Sequence, residues 1–271
     1  AVDGVPVVTG FLGADERGDV TTLGRNGSDW SAALVAAAVG AEEIQVWKDV
    51  DGVRTADPRL VPDALPIPRM SYADATALAA FGSRVLHPAA MVPAMQRGIP
   101  VRVRDVGAPD AAGTTIAADA PVDRPDVHAI AHREPVALVT VTSRRLEPAH
   151  AFLAAVFVAL DGLGCDVGPV SVGEAAVTVA VDAAVARAAV DRLTEVGEVS
   201  TCADCAVVGV VGDPEALERG RAADALAELA RGGVRVRCAG LGPRGSTFAV
   251  AVDRGDLPDA VRRLHRRFFA S

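Results

Sequence analysis

The segment Thr21–Asp29 has the residue types and spacing of an anion-binding loop. It reads Thr-Thr-Leu-Gly-Arg-Asn-Gly-Ser-Asp and leads into an alanine-rich run, Ser28–Val39, that is typical of a helix. Free backbone N–H groups and the positive end of the helix dipole favour a phosphate or a carboxylate at such a start. Arg25 adds a planar, permanently charged group that suits a carboxylate. Ser28 or Asp29 can cap the helix.

These residues alone leave a second interpretation open. Short glycine motifs also form tight turns that hold no ligand, and a well-capped helix start needs none. No Gly-Lys-Ser/Thr follows the loop, so it is not a Walker phosphate loop.

The composition limits the fold class and the function class. The 271 residues are 50% hydrophobic but only 4% aromatic, so Ala, Val and Leu must build the core. This favours a mostly parallel or mixed sheet packed by helices. The net charge of −8 argues against nucleic-acid binding. We find neither a run suited to a membrane span nor a secretory signal, and we expect a cytoplasmic protein.

Two cysteines form a C-x-x-C pattern at Cys202 and Cys205. This pattern suits a metal or redox site, but a second pair or a histidine at ligand spacing is missing. Both cysteines fall in an alternating apolar run, Val199–Val211. We therefore expect buried strand cysteines rather than a metal or redox site.

The first part of the chain, residues 1–117, alternates strand-like and helical runs and predicts a mostly parallel sheet. The predicted strands are Val5–Phe11, Glu43–Trp47 and Ile99–Val103, and the predicted helices are Ser28–Val39, Tyr72–Phe81 and Pro88–Gln96. Two prolines and three charged residues mark residues 118–125 as a linker.

The remainder predicts two βαββαβ units, at 126–205 and 206–271. Their predicted strands are Val136–Thr142, Asp166–Val172, Ala175–Val181, Val199–Ala203, Ala206–Val211, Val234–Cys238 and Ser246–Val252. Their predicted helices are His150–Leu163, Ala183–Val196, Pro214–Arg231 and Leu257–Phe268. The second unit stops one strand short, which would leave an open sheet edge. The strand-like piece Val127–Ile130 can fill that edge, so we expect the two units to be intertwined.

Four motifs precede this paired tail. They are Thr22–Asp29, Trp47–Arg59, Met70–Tyr72 and Phe81–Pro88, the last reading Phe-Gly-Ser-Arg-Val-Leu-His-Pro. In this order they resemble the C-terminal part of an aspartate kinase (aspartokinase), over essentially the whole chain. The resemblance implies that residues 1–117 are the nucleotide-binding half of an amino-acid kinase domain. It also implies that the paired units are ACT domains, which bind small amino acids.

The resemblance implies a role for each matching residue. Arg25 would hold the α-carboxylate of L-aspartate, Gly27 and Ser28 would help to bind the amino acid, and Asp29 would orient the reacting groups. Arg25 and Asp29 are thus the catalytic candidates. The nucleotide-binding candidates are Lys48, Asp49, Arg54, Arg59 and Arg84. Turn formation is an alternative role for Asp49 and for Asp51 and Asp57 nearby. ATP and Mg²⁺ would be the cofactors.

The chain also departs from the family pattern. Lys48 replaces the usual Thr, Arg54 the usual Tyr, and Arg84 the usual Lys. A Lys-Phe-Gly-Gly phosphate loop is absent from these residues, which begin with Ala1 rather than Met. We therefore expect a fragment or a subunit that needs a complementary kinase half or a full-length kinase, and that has little or no activity alone.

In the first ACT unit, the expected effector positions are Leu146, Ala149, Asp166, Val167, Gly168 and Glu174. Asp166-Val167-Gly168 replaces the usual Ser-Val-Asp, so binding of a lysine or threonine effector is expected to be weakened. ACT pairs imply a homodimer. The implied reaction converts L-aspartate to 4-phospho-L-aspartate in lysine, threonine and methionine biosynthesis. The alternative is a non-catalytic pseudo-kinase and ACT regulatory subunit that binds an amino acid or a nucleotide.

Overall fold

The computed structural model describes residues 4–24, 26–82, 88–119, 125–144, 148–164, 167–242 and 244–270, with only the backbone at 88–90. The chain divides into two compact units. The first contains residues 1–55 and 65–124, and the second contains residues 56–64 and 125–271. The predicted linker at 118–125 falls largely on 120–124, outside the described residues.

In the described residues, the first unit consists of a four-stranded sheet, three helices and a short hairpin. Its elements are β1 (Leu12–Ala14), β2 (Val20–Thr22), α1 (Gly27–Val39), β3 (Ile44–Lys48), β4 (Arg69–Ser71), α2 (Tyr72–Ala80), α3 (Pro88–Arg97), β5 (Val101–Asp105) and β6 (Thr114–Ala117). Strands β1 and β2 form the hairpin, and the sheet order is β3-β5-β6-β4. Two of the three pairings in the sheet are parallel, and β5–β6 is antiparallel.

Local sequence explains where these helices start and end. Ser71 accepts a hydrogen bond from the backbone N–H of Asp74 at 3.0 Å, and the Asp74 carboxylate accepts from the backbone N–H of Ser71. This capping box fixes the start of α2. The buried Tyr72 hydroxyl donates to the carbonyl of Ile99, which ties α2 to the segment before β5. Helix α1 ends at Val39, and the residue after it, Gly40, adopts a positive φ of 65° that suits glycine.

The predicted strand Val5–Phe11 is wrong. Pairing begins only at Leu12, and Val5 and Val7 are 91% and 94% exposed. Pro6 has no N–H to donate to a ladder, and Phe11 adopts a positive φ of 72°, which is incompatible with a continuing strand.

The second unit is one antiparallel sheet covered by helices. Its elements are β7 (Val127–Ser143), α4 (Ala149–Leu160), β8 (Val170–Val172), β9 (Ala176–Asp182), α5 (Ala186–Leu193), β10 (Gly197–Gly212), α6 (Pro214–Ala216), a π-helical turn (Leu217–Arg221), α7 (Ala222–Arg231), β11 (Val236–Leu241), β12 (Thr247–Asp253), a 3-10 turn (Arg254–Asp256) and α8 (Leu257–Phe269). The strand order is β11-β12-β10-β7-β9-β8. The two edge strands, β8 and β11, approach each other, so the sheet curls in a barrel-like way.

Strands β7 and β10 each serve both βαββαβ units. The first half of β7 pairs with the second half of β10, with Ala129 opposite Val211. The second half of β7 pairs with β9 and with the first half of β10. Val127–Ile130 thus pair with the part of β10 that belongs to the second βαββαβ unit, and the prediction that they fill the open edge of that βαββαβ unit is confirmed. The predicted strands Val199–Ala203 and Ala206–Val211 are parts of the single strand β10.

Each βαββαβ unit has its own hydrophobic core. The core beneath α4 and α5 includes Val139, Val156, Val179 and Leu193, all fully buried. The core beneath α7 and α8 includes Val208, Leu229, Phe248 and Leu264, and it also contains Ala56, Val61 and Ala64. The segment 56–64 is therefore part of the second unit.

Three predicted elements of this unit need correction. The predicted helix Pro214–Arg231 is interrupted at Gly220, whose φ of 162° and ψ of −18° are not helical. Of the described residues in the predicted strand Asp166–Val172, only Val170–Val172 form a strand, since Gly168 and Pro169 interrupt the run. The predicted helix Ala183–Val196 is reduced to Ala186–Leu193.

Among the helices of the described residues, none has both the length and the hydrophobicity needed to cross a membrane.

Because β7 is shared between the two βαββαβ units, a substitution at Gly212, where β10 pairs with the start of β7, is predicted to lower stability. A Cβ at this position would lie 2.4 Å from the carbonyl oxygen of Asp126 and 3.2 Å from Cα of Val127, the first residue of β7. We expect Gly212→Ala to lower the free energy of unfolding by about 1–3 kcal/mol, measured by urea denaturation.

Gly240→Ala in β11 is the matched control, because a Cβ there meets nothing within 4 Å. Equal effects of the two substitutions on unfolding would contradict the pairing of β7 with the end of β10.

Candidate functional site

The loop before α1 is shaped by a close approach of backbone to side chains. Gly27 is buried, and a Cβ there would lie 2.8 Å from Cβ of Leu23 and 3.1 Å from Cδ2 of Phe11. Only glycine fits without displacing these side chains. Asn26 precedes it in the left-handed conformation, with φ 59° and ψ 25°, which asparagine tolerates.

Asn26, rather than Ser28 or Asp29, is the N-cap residue of α1, and its side chain makes no capping hydrogen bond. The expectation that Ser28 or Asp29 caps the helix is therefore wrong, because the helix begins one residue earlier, at Gly27. The backbone N–H of Gly27 donates to the carbonyl of Gly24 at 3.1 Å, and that of Trp30 donates to the carbonyl of Asn26 at 3.2 Å. The N–H groups of Ser28 and Asp29 have no acceptor within the helix, as is usual for a first turn, and a helix start of this kind suits an anionic ligand.

Ser31 fixes this helix start to the preceding chain. Its hydroxyl donates to the carbonyl of Gly27 at 2.9 Å and accepts from the backbone N–H of Phe11 at 3.1 Å. The backbone N–H of Leu23 donates to the carbonyl of Phe11 at 2.8 Å. Sequence reasoning did not select Ser31, because a serine inside a helical pattern is ordinarily solvent-facing.

Two of the predicted site residues meet in space. Lys48 is the last residue of β3, and its Nζ lies 3.5 Å from Oδ2 of Asp29 in the first turn of α1. Their side chains are 25% and 18% exposed. The carboxyl end of a parallel strand beside a helix start is a common ligand position in α/β proteins. An ion pair of this exposure adds at most about 1 kcal/mol to stability, so its position matters more than its strength.

Asp49 and Arg54, two of the predicted nucleotide-binding residues, lie in the segment after β3. Asp49 is exposed. Arg54 pairs with Asp51, with Nε 3.2 Å from Oδ1. The hydrogen bond from Arg54 lowers the pKa of the Asp51 carboxyl. Asp51 therefore holds the arginine that was predicted to bind the nucleotide.

Arg59 lies in the second unit, whereas Asp29 and Lys48 lie in the first. Its Nε is 3.0 Å from Oδ1 of Asp57, yet 84% of its side chain is exposed. His132 on β7 brings its Nε2 to 3.9 Å from Oδ2 of Asp57. The hydrogen bond from Arg59 lowers the pKa of Asp57, and burial lowers the pKa of His132 against the opposing effect of Asp57. His132 was not predicted from the sequence, because nothing near it in the chain marks it as a site residue.

Four predicted site residues, Arg25, Arg84, Leu146 and Asp166, lie outside the described residues. The remaining effector candidates occupy three places in the second unit. Ala149 begins α4 and is exposed, and Glu174 is exposed in the turn between β8 and β9. Val167 and Gly168 precede β8, and Arg133 Nη2 donates to the carbonyl of Gly168 at 2.9 Å.

Comparison with known proteins gives a family-level match. Residues 2–105 match the amino acid kinase family. Aspartokinase 3, chloroplastic, of Arabidopsis thaliana is 33% identical over 98% of this chain, which covers 49% of that protein. The chain thus spans about half the length of the first curated relatives that it matches.

Solved structures agree with this match. The structure of Escherichia coli aspartokinase III in complex with aspartate and ADP (R-state) superposes with a TM-score of 0.84 at 30% identity, covering 96% of this chain and 60% of that one. The same enzyme in complex with lysine and aspartate (T-state) gives a TM-score of 0.79 at 29% identity, covering 96% of this chain and 59% of that one.

The burial of His132 predicts a pH dependence. Its folded-state pKa is lower than the usual 6.5, so the unfolded chain binds more protons as pH falls through that value. Its contribution to stability is complete above pH 6.5 and is lost as pH falls through 6.5 toward the folded-state pKa. We expect the free energy of unfolding of His132→Gln to fall less than that of the wild type between about pH 7.5 and 5.

Urea denaturation at each pH measures this difference. His150→Gln, which changes an exposed histidine of α4, is the matched control and should keep the wild-type profile. Burial also lowers the pKa of His265, so part of the slope should remain in His132→Gln. An unchanged slope in His132→Gln would contradict this contribution of His132.

Proposed function

We propose that this chain, which is homologous to aspartokinases over nearly its whole length, corresponds to the C-terminal part of an ATP-dependent aspartate kinase. The reaction is the phosphorylation of L-aspartate to 4-phospho-L-aspartate, a step toward lysine, threonine and methionine. The pairing of Asp29 with Lys48 is the observation that carries the proposal. It joins the loop assigned to aspartate with the strand end assigned to the nucleotide.

The chemistry assigned to these groups follows from charge. Transfer of a phosphoryl group to a carboxylate brings two anions together, so cations and helix N–H groups must offset their repulsion. In this proposal the start of α1 and Arg25 hold the α-carboxylate of aspartate, with Gly27 and Ser28 lining the amino-acid site. Asp29 orients the reacting groups, and Lys48 supplies positive charge beside them.

The nucleotide is assigned to the following residues of the chain. Asp49 and Arg54 are assigned to its adenosine part, and Arg59 and Arg84 are assigned to its phosphates. Mg²⁺ bound with the nucleotide would help to neutralise the charge of the phosphates. We assign no side chain as a metal ligand.

The proposal places the phosphate-loop half of the kinase domain outside these 271 residues, which contain no Lys-Phe-Gly-Gly sequence. Apolar side chains exposed in the first unit support a complementary half that covers them. They include Val7, Val8, Val20, Leu34 and Val39, with exposed fractions of 94%, 61%, 78%, 46% and 72%. The complementary half belongs to the same polypeptide or to a separate one.

The second unit is proposed as the regulatory part, in which two intertwined ACT domains mediate a homodimer. Lysine or threonine is the effector class, and the E. coli structure with bound lysine supports the comparison. Ala149 cannot donate the hydroxyl hydrogen bond of a serine or threonine at the start of α4. Weakened effector binding follows.

Two ion pairs favour the alternative of a non-catalytic subunit that binds an amino acid or a nucleotide. Asp51 neutralises Arg54, and Asp57 neutralises Arg59. A nucleotide must therefore compete with two carboxylates for its proposed arginines.

An activity assay tests the kinase proposal. The complete translation product of the reading frame is mixed with ATP, Mg²⁺ and L-aspartate, and hydroxylamine captures the acyl phosphate as a hydroxamate. Because Asp29 orients the reacting groups, we expect Asp29→Asn to lower kcat/KM for aspartate by about 100-fold or more.

Glu42→Gln, at an exposed carboxylate between α1 and β3, is the control and should keep wild-type activity. Wild-type activity in Asp29→Asn would contradict the role of Asp29. If the wild-type product binds ADP but forms no hydroxamate, the non-catalytic alternative is supported instead.

Calorimetry tests the proposed weakening of effector binding. Each buried group left without a partner costs about 1–3 kcal/mol, so losing several partners raises Kd by orders of magnitude. We expect lysine and threonine each to bind this chain with a Kd in the millimolar range or weaker. Micromolar binding of either amino acid would contradict the proposal.

A further inference from the structure

Cys202 and Cys205 lie at an irregularity of β10, where this strand passes from one βαββαβ unit to the other. Cys202 is opposite Leu138 and Cys205 is opposite Val136, so three steps along β10 match two along β7. The extra residue makes a β-bulge, which redirects side chains along the strand. The bulge brings together two side chains that a regular strand would keep apart.

The two sulfur atoms face each other across this bulge. The Cys205 thiol donates a hydrogen bond to Sγ of Cys202 at 3.2 Å and also approaches the carbonyl of Cys202 at 3.6 Å. Formation of a disulfide requires the sulfurs to approach by about 1 Å more, to a bond length near 2.05 Å. Cys205 is fully buried, whereas Cys202 is half-buried. A reagent therefore reaches Cys202 first.

Burial, together with the hydrogen bond to Cys202, raises the pKa of Cys205 to about 12. Cys205 is therefore a protonated thiol at neutral pH. Stepwise thiol–disulfide exchange needs one accessible sulfur that reacts with the reagent and a second sulfur beside it that reacts with the first, and Cys202 and Cys205 fit these two roles.

A metal ion is the competing occupant of this cluster. A carboxylate oxygen of Asp253 and the two sulfurs lie within 4.8 Å of one another. That carboxylate already binds Arg237 at two points, with Nε 2.8 Å from Oδ1 and Nη2 3.0 Å from Oδ2. The guanidinium occupies the only oxygen ligand of the cluster and repels an incoming cation. The described residues thus favour a pair of reacting thiols over a metal centre.

We propose that Cys202 and Cys205 form a reversible disulfide when they meet a small-molecule disulfide such as oxidised glutathione. Cys202 loses its proton to solvent, and its sulfur attacks one sulfur of the reagent, so the reagent S–S bond breaks and one thiolate leaves. The Cys205 thiol then loses its proton to solvent, and its sulfur attacks that of Cys202 and expels the second thiolate. Two protein thiols are oxidised, and one disulfide is reduced to two thiols. This proposal does not depend on kinase activity.

Peptide mass analysis of the whole chain tests the proposal. The folded protein is incubated with oxidised glutathione, free thiols are alkylated, and the protein is digested with trypsin. Cleavage after Arg192 and Arg219 places both cysteines in one peptide, separate from Cys165 and Cys238. We expect this peptide to be unalkylated and lighter by two hydrogen atoms, and to gain two alkyl groups after dithiothreitol.

Single substitutions separate the two steps. Cys205→Ser should trap glutathione on Cys202, because the second attack cannot occur. Cys202→Ser should leave the buried Cys205 without glutathione, and Cys238→Ser should behave like the wild type. Cys205→Ala provides a second variant if Cys205→Ser does not fold, as judged by circular dichroism.

Two results would overturn the proposal. One is a peptide that stays doubly alkylated after incubation with oxidised glutathione. The other is one equivalent of Zn²⁺ that the reduced protein retains on dialysis, that Cys202→Ser loses, and that prevents disulfide formation. The second result would identify the cluster as a metal site.

Discussion

The pairing of two long strands is the constraint on which the second unit depends. A βαββαβ unit with a missing strand leaves a row of unsatisfied N–H and C=O groups at its edge. Strands β7 and β10 satisfy these groups in both βαββαβ units. The second half of β7 and the first half of β10 pair in the first βαββαβ unit, and the first half of β7 and the second half of β10 pair in the second. The core beneath α7 and α8 therefore includes Val127 and Ile130 from the start of β7, far from the rest of that unit in sequence.

A second constraint acts at the start of α1, where a buried glycine lets the loop pack and a left-handed asparagine directs the chain into the helix. The first turn therefore presents N–H groups next to Asp29, and β3 ends beside it at Lys48. The backbone supplies fixed partial charges, and the side chains supply one charge of each sign. All of these groups belong to the first unit.

Helices with strong local signals were predictable from sequence. Helix α1 was predicted within one residue of its observed start, and the predicted Leu257–Phe268 helix matches α8 within one residue. Failures occurred where a single residue overrides a pattern, as Pro6 does in an apolar run and Gly220 does in a helical one. In the site, the motifs selected Lys48 and Asp29 separately. Their contact depends on how β3 and α1 pack, which residue types alone do not specify. The sequence likewise did not predict that Arg59 belongs to the second compact unit, because this depends on the packing of Ala56 and Val61 into the core of that unit.

The membership of residues 56–64 in the second unit has a consequence for how this protein can be dissected. The carbonyl of Leu60 accepts a hydrogen bond from Arg262 Nε at 3.0 Å, and Ala56, Val61 and Ala64 are buried in the core of that unit. A protein that contains only residues 125–271 would therefore lack Ala56, Val61 and Ala64 and have a gap in its core. A protein that contains only residues 1–124 would carry these three apolar side chains without their packing partners. Because the second unit is made of two separate stretches of chain, no single cut in the polypeptide separates the two units.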